Sequence, residues 1–204
     1  MMTDIMMDLE TMGNTSTAAI IQIGAVRFDP DSGEIGAEFR HNIDLQSCLD
    51  HGLTVDASTI YWWMARSDAA RNSVGHIGDN SRQQIADVLL EFRKFITTSG
   101  TEPRRVWSHA TFDFVILQNA YQMTRIGMPF GYNIARDIRT LLDLAEYDPF
   151  SRIPREGVHH DALDDARYQA RYTVEALREI AHKKHLGTML NQLKNAQQQE
   201  VGCE

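Results

Sequence analysis

Met2-Thr-Asp-Ile-Met-Met-Asp-Leu-Glu10 is an apolar run that ends in two acids. Ile5, Met6 and Met7 give it the character of a buried β-strand. Side chains alternate along a strand, so Asp8 and Glu10 point to one side of the sheet and Leu9 to the other. Two carboxylates a few ångströms apart at the end of a buried strand repel each other, and a hard divalent cation between them is the usual remedy. An isolated Asp-x-Glu is also a common polar strand end, so the pair acquires meaning only from acids elsewhere in the chain.

The segments that follow build a sheet around this strand. Residues 18–28, rich in Ile, Val and Ala, read as a second strand, Asp29-Pro-Asp-Ser-Gly33 as a turn, and residues 34–43 as the returning third strand. Residues 44–54 read as a loop, and Asp56 or Ser58 caps a short helix over 57–66 that carries Trp62 and Trp63. A looser segment with Gly75 and Gly78 leads to a helix over 81–96, capped by Ser81 and stopped by Gly100, with Ile85, Val88, Leu89, Phe92 and Ile96 on one face. Strand 104–108, helix 112–124 ending near Gly127, a short strand 133–136 and helix 138–146 come next. Pro149, Pro154 and Gly157 make 147–158 an irregular loop. A last helix runs over 161–182 with Ala166, Ala170, Val174, Leu177 and Ala181 on its apolar face, and past Gly187 the Gln- and Asn-rich chain reads as a frayed tail. The order predicts an α/β fold: a mixed five-stranded sheet, made of a three-stranded antiparallel meander plus parallel strands, with helices on both faces and the first strand near the middle. One domain over 1–186 and a polar tail over 187–204 account for all 204 residues.

Composition limits the function. No apolar run approaches the ~20 residues that cross a bilayer and no secretory N-terminus is present, so the expected setting is cytoplasmic, without a membrane partner. Cys48 and Cys203 stand too far apart in sequence for a zinc spacing or a disulfide framework. A net charge of −8 argues against coating long stretches of nucleic acid. It leaves room for an enzyme that grips a few nucleotides and brings its positive charge as metal ions.

Further acids lie downstream. Asp113 closes Trp107-Ser-His-Ala-Thr-Phe-Asp at a helix start, where an Asp is also favoured for dipole reasons. Val158-His-His-Asp-Ala-Leu-Asp-Asp-Ala166 sets His159, His160, Asp161, Asp164 and Asp165 at the start of the last helix. Asp161 reads as its N-cap. Asp165 lies one turn in, on the face it shares with Asp161, whereas Asp164 is rotated by about 100° and can face water. His160 precedes the cap and is free to reach over the acids.

Asp8-x-Glu10, Phe112-Asp113 and His160-x-Ala162-x-x-Asp165, in this order, resemble the three motifs of the DEDDh branch of the DnaQ-like, ribonuclease-H-fold 3′-5′ exonucleases. The likeness covers about residues 3–182, and residues 59–63 (Thr-Ile-Tyr-Trp-Trp) look most like the branch that holds the phage exonuclease A and the mycobacterial adenosine-specific exoribonuclease. The resemblance implies a ribonuclease-H-like fold and a metal-dependent 3′-to-5′ exonuclease acting on a single-stranded DNA or RNA 3′ end. Asp8, Glu10, Asp113 and Asp165 would hold two Mg²⁺ or Mn²⁺ ions, with Asp8 between them, and His160 would be the general base, His159 being the rival register. The product would be a nucleoside 5′-monophosphate. Met12, one of Trp62 and Trp63 (Trp62 taken first), and the loop arginines Arg152 and Arg155 are the candidate substrate contacts. A rate that climbs through roughly pH 6 to 7 under the control of His160 is also expected. One departure is His109, which stands where the family has Asn. Members of the group pair as dimers, so a homodimer is in keeping with it. The competing readings are a catalytically silent nucleic-acid-binding domain of the same fold and a metal phosphohydrolase for small phosphates.

Overall fold

The structure, a computed structural model, describes residues 2–75, 81–97 and 102–201, with the side chains of 193–201 left out. Gly78, Gly100 and Cys203 therefore lie outside the described residues. Strand β1 (Asp4–Thr11) is buried along its whole length and sits at the centre of a five-stranded sheet of order β3-β2-β1-β4-β5. It pairs antiparallel with β2 (Ile20–Phe28), which pairs antiparallel with β3 (Ile35–Asn42), and it pairs parallel with β4 (Arg105–Ser108), which pairs parallel with β5 (Ala135–Asp137). The mixed sheet expected from the sequence is the one observed.

Alternation along β1 divides the core. Ile5, Met7 and Leu9 pack on one face with Val88, Leu89 and Phe92 of helix α4 (Ile85–Thr97) and Ile116, Leu117 and Ala120 of α5 (Asp113–Met123). Met6, Val26 and Phe28 pack on the other with Ile138 and Leu141 of α6 (Ile138–Ala145) and Ala166, Ala170 and Val174 of α8 (Ala162–Val201). Asp8 and Glu10 fall on the second face, towards α8.

The first turn of α8 is seated on β2 at Gly24, which lies opposite Asp8 in the register. A Cβ at Gly24 would overlap the Ala162 carbonyl and the Leu163 amide, so only glycine lets the helix come this close. Gln22 Oε1 accepts the Ala162 N–H at 2.6 Å and fixes the same approach. Gly24→Ala is therefore expected to lift the start of α8 off the sheet. Overpacking of this kind costs about 1–3 kcal/mol, or roughly 2–12 °C in a domain of this size. A melting curve and a rate measured side by side check it, and an unchanged melting temperature would mean that α8 stands further from β2.

Several boundaries differ from the sequence reading, each with a local cause. Residues expected as loop form α1 (Leu45–Asp50), because Asp44 accepts the Ser47 N–H at 2.8 Å and caps it. After α2 (Ala57–Met64), Ser67 caps a further short helix, α3 (Asp68–Ser73), where a looser segment was expected. Helix α4 begins at Ile85 and not at Ser81, since the Ile85 N–H is taken by Ser47 Oγ at 3.0 Å from another segment. The loop expected over 147–158 contains one turn, α7 (Pro149–Arg152), capped by Asp148. Helix α8 does not stop near His182 but continues to Val201, through the stretch expected as a frayed tail. Ala181 and Gly187 are exposed there, and Lys, Leu and Gln are good enough helix formers to carry one glycine at a cost of about 1 kcal/mol. Among the described residues no helix is long and apolar enough to cross a membrane.

Candidate active site

Three element ends converge at the end of the central strand. Asp8 and Glu10 leave the end of β1, Asp113 is the first residue of α5, and Asp165 lies in the first turn of α8; all four are nearly fully buried. Asp113 is held by backbone, its Oδ2 accepting the His109 N–H at 2.8 Å and its Oδ1 the Leu9 N–H at 3.3 Å. Asp165 Oδ2 accepts the His160 N–H at 3.3 Å, and the same carboxylate is ion-paired with Arg155. Asp8 Oδ1 accepts from Gln169 Nε2 at 2.7 Å, one helical turn beyond Asp165.

Carboxylate oxygens of Asp8, Glu10 and Asp165 lie within 4.8 Å of one another, and a second group within the same limit joins Asp8, Asp113 and a His109 nitrogen. Asp8 belongs to both groups. Burial, then the charges of Asp113 and Glu10, hold the Asp8 carboxyl well above its ordinary range. Burial, with Asp113 and Asp161, pushes Glu10 up to about 8. Burial pushes Asp113 up to about 7 against the backbone N–H groups that pull it down. The cluster is repulsive by itself and has drawn in a guanidinium. A buried, mutually repelling donor set of four carboxylates, with one imidazole nitrogen at its edge, fits a hard divalent cation.

His160 stands at the rim. Its φ of 67° is left-handed, held by the bond to Asp165 and by Ser73 Oγ, which donates to the His160 carbonyl at 2.9 Å. Its ring lies edge-on to Trp62 at 4.7 Å and stacks on His159 at 3.9 Å. Burial, then His159, Arg66 and Arg155, lower its pKa to about 4, which puts the climb of the rate below the pH 6 to 7 expected from the sequence. Both histidine rings line the acid cavity, of about 380 Å³. A second cavity, of about 440 Å³ and lined by Trp62, Trp63, Asn14, Ser58 and Thr59, shares Leu9, Glu10 and Phe112 with it.

The substrate candidates divide. Trp62 is 38% exposed and lines the second cavity, whereas Trp63 is buried with its Nε1 donating to the Thr11 carbonyl at 2.9 Å. Met12 lines neither cavity; the register shifts between Glu10 and Thr11, and Met12 packs half-buried against the core. Arg152 stacks over Tyr147 at 4.9 Å, away from the acids. Arg155 lines the acid cavity. Sequence reading missed Gln169, whose signal is a lone amide between Ala166 and Ala170 on the buried face of a helix, where a polar group needs a partner. It also missed Arg139, which carries no motif of its own, and it gave Phe112, quoted only as the neighbour of Asp113, no place in the cavity that this ring lines. At His109 it is the backbone N–H that holds Asp113, and burial with Arg139 nearby lowers the ring's pKa to about 4.

Residues 3–177 match the model of the family described as the 3′-5′ exoribonuclease Rv2179c-like domain. The exodeoxyribonuclease of Enterobacteria phage T4 is 30% identical over 127 residues, 57% of this chain and 54% of the phage protein. The chain thus spans about half the length of the curated relative it matches. Among solved structures, the nuclease domain of 3′hExo, a DEDDh family member bound to rAMP, superposes with a TM-score of 0.55 at 16% identity, over 86% of this chain and 92% of that one. An exonuclease I structure superposes with a TM-score of 0.60 at 13% identity, over 88% of this chain and 42% of that one. At such identities the two structures speak for the fold, and it is the fold that the motifs implied.

Proposed function

The chain belongs to the Rv2179c-like 3′-5′ exoribonuclease domain family, and from that membership we propose that it is a metal-dependent 3′-to-5′ exonuclease that releases nucleoside 5′-monophosphates from single-stranded nucleic acid. The observation that carries this reading is the convergence of four buried acids, two groups of them sharing Asp8, beside a cavity walled by tryptophan. Residues 1–186 form the catalytic unit in this reading.

Asp8, Glu10, Asp113 and Asp165 would hold two Mg²⁺ or Mn²⁺ ions, which when bound stabilise the charge developing on the phosphate and on the leaving 3′ oxygen. The neutral imidazole of His160 accepts the proton of the attacking water at its free nitrogen. The water oxygen bonds to phosphorus, the bond to the 3′ oxygen of the preceding nucleotide breaks, and the terminal nucleotide leaves with a 5′-phosphate. Trp62 stacks on the terminal base, a contact worth about 1–3 kcal/mol and tolerant of sequence, so Trp62→Ala is expected to raise KM at least about fivefold with a smaller change in kcat. Steady-state kinetics on one oligonucleotide check this, and a loss confined to kcat would assign Trp62 to holding His160 instead. Arg155, in the same cavity, adds positive charge beside the phosphate.

The family is described by ribonucleotide substrates and the phage relative by deoxyribonucleotide ones, so both are tested together. Single-stranded DNA and RNA of identical sequence, labelled at the 3′ or 5′ end, are incubated with and without Mg²⁺. Stepwise shortening from the 3′ end with release of mononucleotides is expected, and circular single strands are expected to be spared. Efficient cutting of a circle, or turnover of a mononucleotide with none of an oligonucleotide, would overturn the reading.

A further inference from the structure

Two arginines line the acid cavity, and they are differently engaged. Arg155 is paired with Asp165. Arg139 is exposed in the first turn of α6 and makes no hydrogen bond or ion pair among the described residues. Its charge nevertheless acts on both Asp113 and His109, which places it within electrostatic reach of the acids. Phe150, on α7, lines the same cavity and is 84% exposed. Neither Arg139 nor Phe150 lines the tryptophan cavity, which meets the acids through Leu9, Glu10 and Phe112.

A single exposed ring means little. Lining the same cavity as an unpartnered guanidinium, it completes the pair of contacts that a nucleotide asks for: a π-face for the base and a charge for the phosphate. If the terminal nucleoside sits against Trp62 and the scissile phosphate over the acids, the chain continues into the part of the acid cavity that the tryptophan cavity does not share, where Arg139 and Phe150 are. On the exonuclease reading, we infer that Arg139 and Phe150 seat the nucleotide on the 5′ side of the scissile bond, the guanidinium taking the phosphate next to the scissile one and the ring stacking on the base. The substrate class is then a polynucleotide, with little base preference at that position. A mononucleotide does not reach this seat.

Anisotropy of labelled oligothymidylate and oligouridylate, with Ca²⁺ replacing Mg²⁺ and salt varied, tests the seat apart from turnover. Arg139→Met is expected to weaken binding about tenfold and to flatten the salt dependence by about 0.7 in slope, the value for one phosphate contact on a single strand. Arg139→Lys is expected to keep most of that slope. Phe150→Ala is expected to weaken binding about fivefold or more with the slope unchanged, because stacking carries no counterion. Inhibition by a nucleoside 5′-monophosphate is expected to be the same in all variants. An unaltered slope in Arg139→Met, or monophosphate inhibition lost in step with oligonucleotide binding, would overturn the inference. Wild-type protein that neither binds nor shortens the oligonucleotides would overturn the exonuclease reading itself, and that outcome is distinct.

Discussion

Asp8→Asn is expected to lose more than about 10³-fold in kcat and yet to melt above the wild type in the absence of metal, with the difference growing as the pH is raised from 5 to 8. The activity loss follows because Asp8 joins the group it makes with Glu10 and Asp165 to the group it makes with Asp113 and His109. The stability gain follows from the proton balance. Glu10 holds its proton in the folded protein up to about 8, whereas in the unfolded chain a glutamate releases it near its ordinary value of 4.5. Asp8 and Asp113 are shifted in the same direction. A folded-state pKa raised above the unfolded one contributes stability that is complete below the unfolded value and is lost as pH rises through the folded one. The metal-free protein should therefore lose a few kcal/mol between about pH 4.5 and 8, and removing Asp8 takes away one shifted group and one repelling neighbour of the other two. Melting curves in EDTA at pH 5 and pH 8, with a rate assay in Mg²⁺, measure both effects. Mn²⁺ should restore the wild type most strongly at pH 8 and the variant hardly at all. Retention of more than about a tenth of the turnover would count heavily against the two-metal reading.

What was legible in the sequence is what one strand and two helix starts dictate locally. Alternation along β1 separates Asp8 and Glu10 from Leu9 without reference to any other segment, and the Asp161 cap sets where α8 begins: its Oδ1 accepts the Leu163 and Asp164 N–H groups at 3.1 Å. What was not legible depends on partners distant in sequence. The start of α4 is set by Ser47, the support of Asp8 comes from Gln169, and the pKa of His160 is lowered first by burial, then by His159 and by Arg66 and Arg155. Gly24 has the same character: its sequence shows a glycine inside a strand, and only the seating of α8 on it explains why. Met12 is singled out by the resemblance alone, and a methionine serves a core as readily as a base contact; here it packs half-buried against the core.

His160→Asn is expected to lower kcat by about 10² to 10⁴, the range for a positioned base, while leaving Mn²⁺ affinity within about twofold of the wild type. Asparagine is the right probe because the residue sits at φ 67°, and Asn adopts left-handed backbone more readily than most side chains. The backbone bonds from Ser73 and to Asp165 then persist, and what is lost is the ring. The pH profile separates the base from the metal ligands. With His160 lowered to about 4, the ring is already neutral by pH 6, so at saturating metal the wild-type rate should be flat above that point. At limiting metal the rate should keep climbing to about pH 8, because Asp113 and Glu10, at about 7 and about 8, give up protons to the ion. Calorimetric Mn²⁺ titration of the variant is decisive. Collapse of Mn²⁺ binding along with the rate would make His160 a ligand, as its place within 4.8 Å of His159 and Asp165 allows. A full rate in His160→Asn with loss in His159→Asn would instead move the base one residue back, to the ring stacked on it at 3.9 Å.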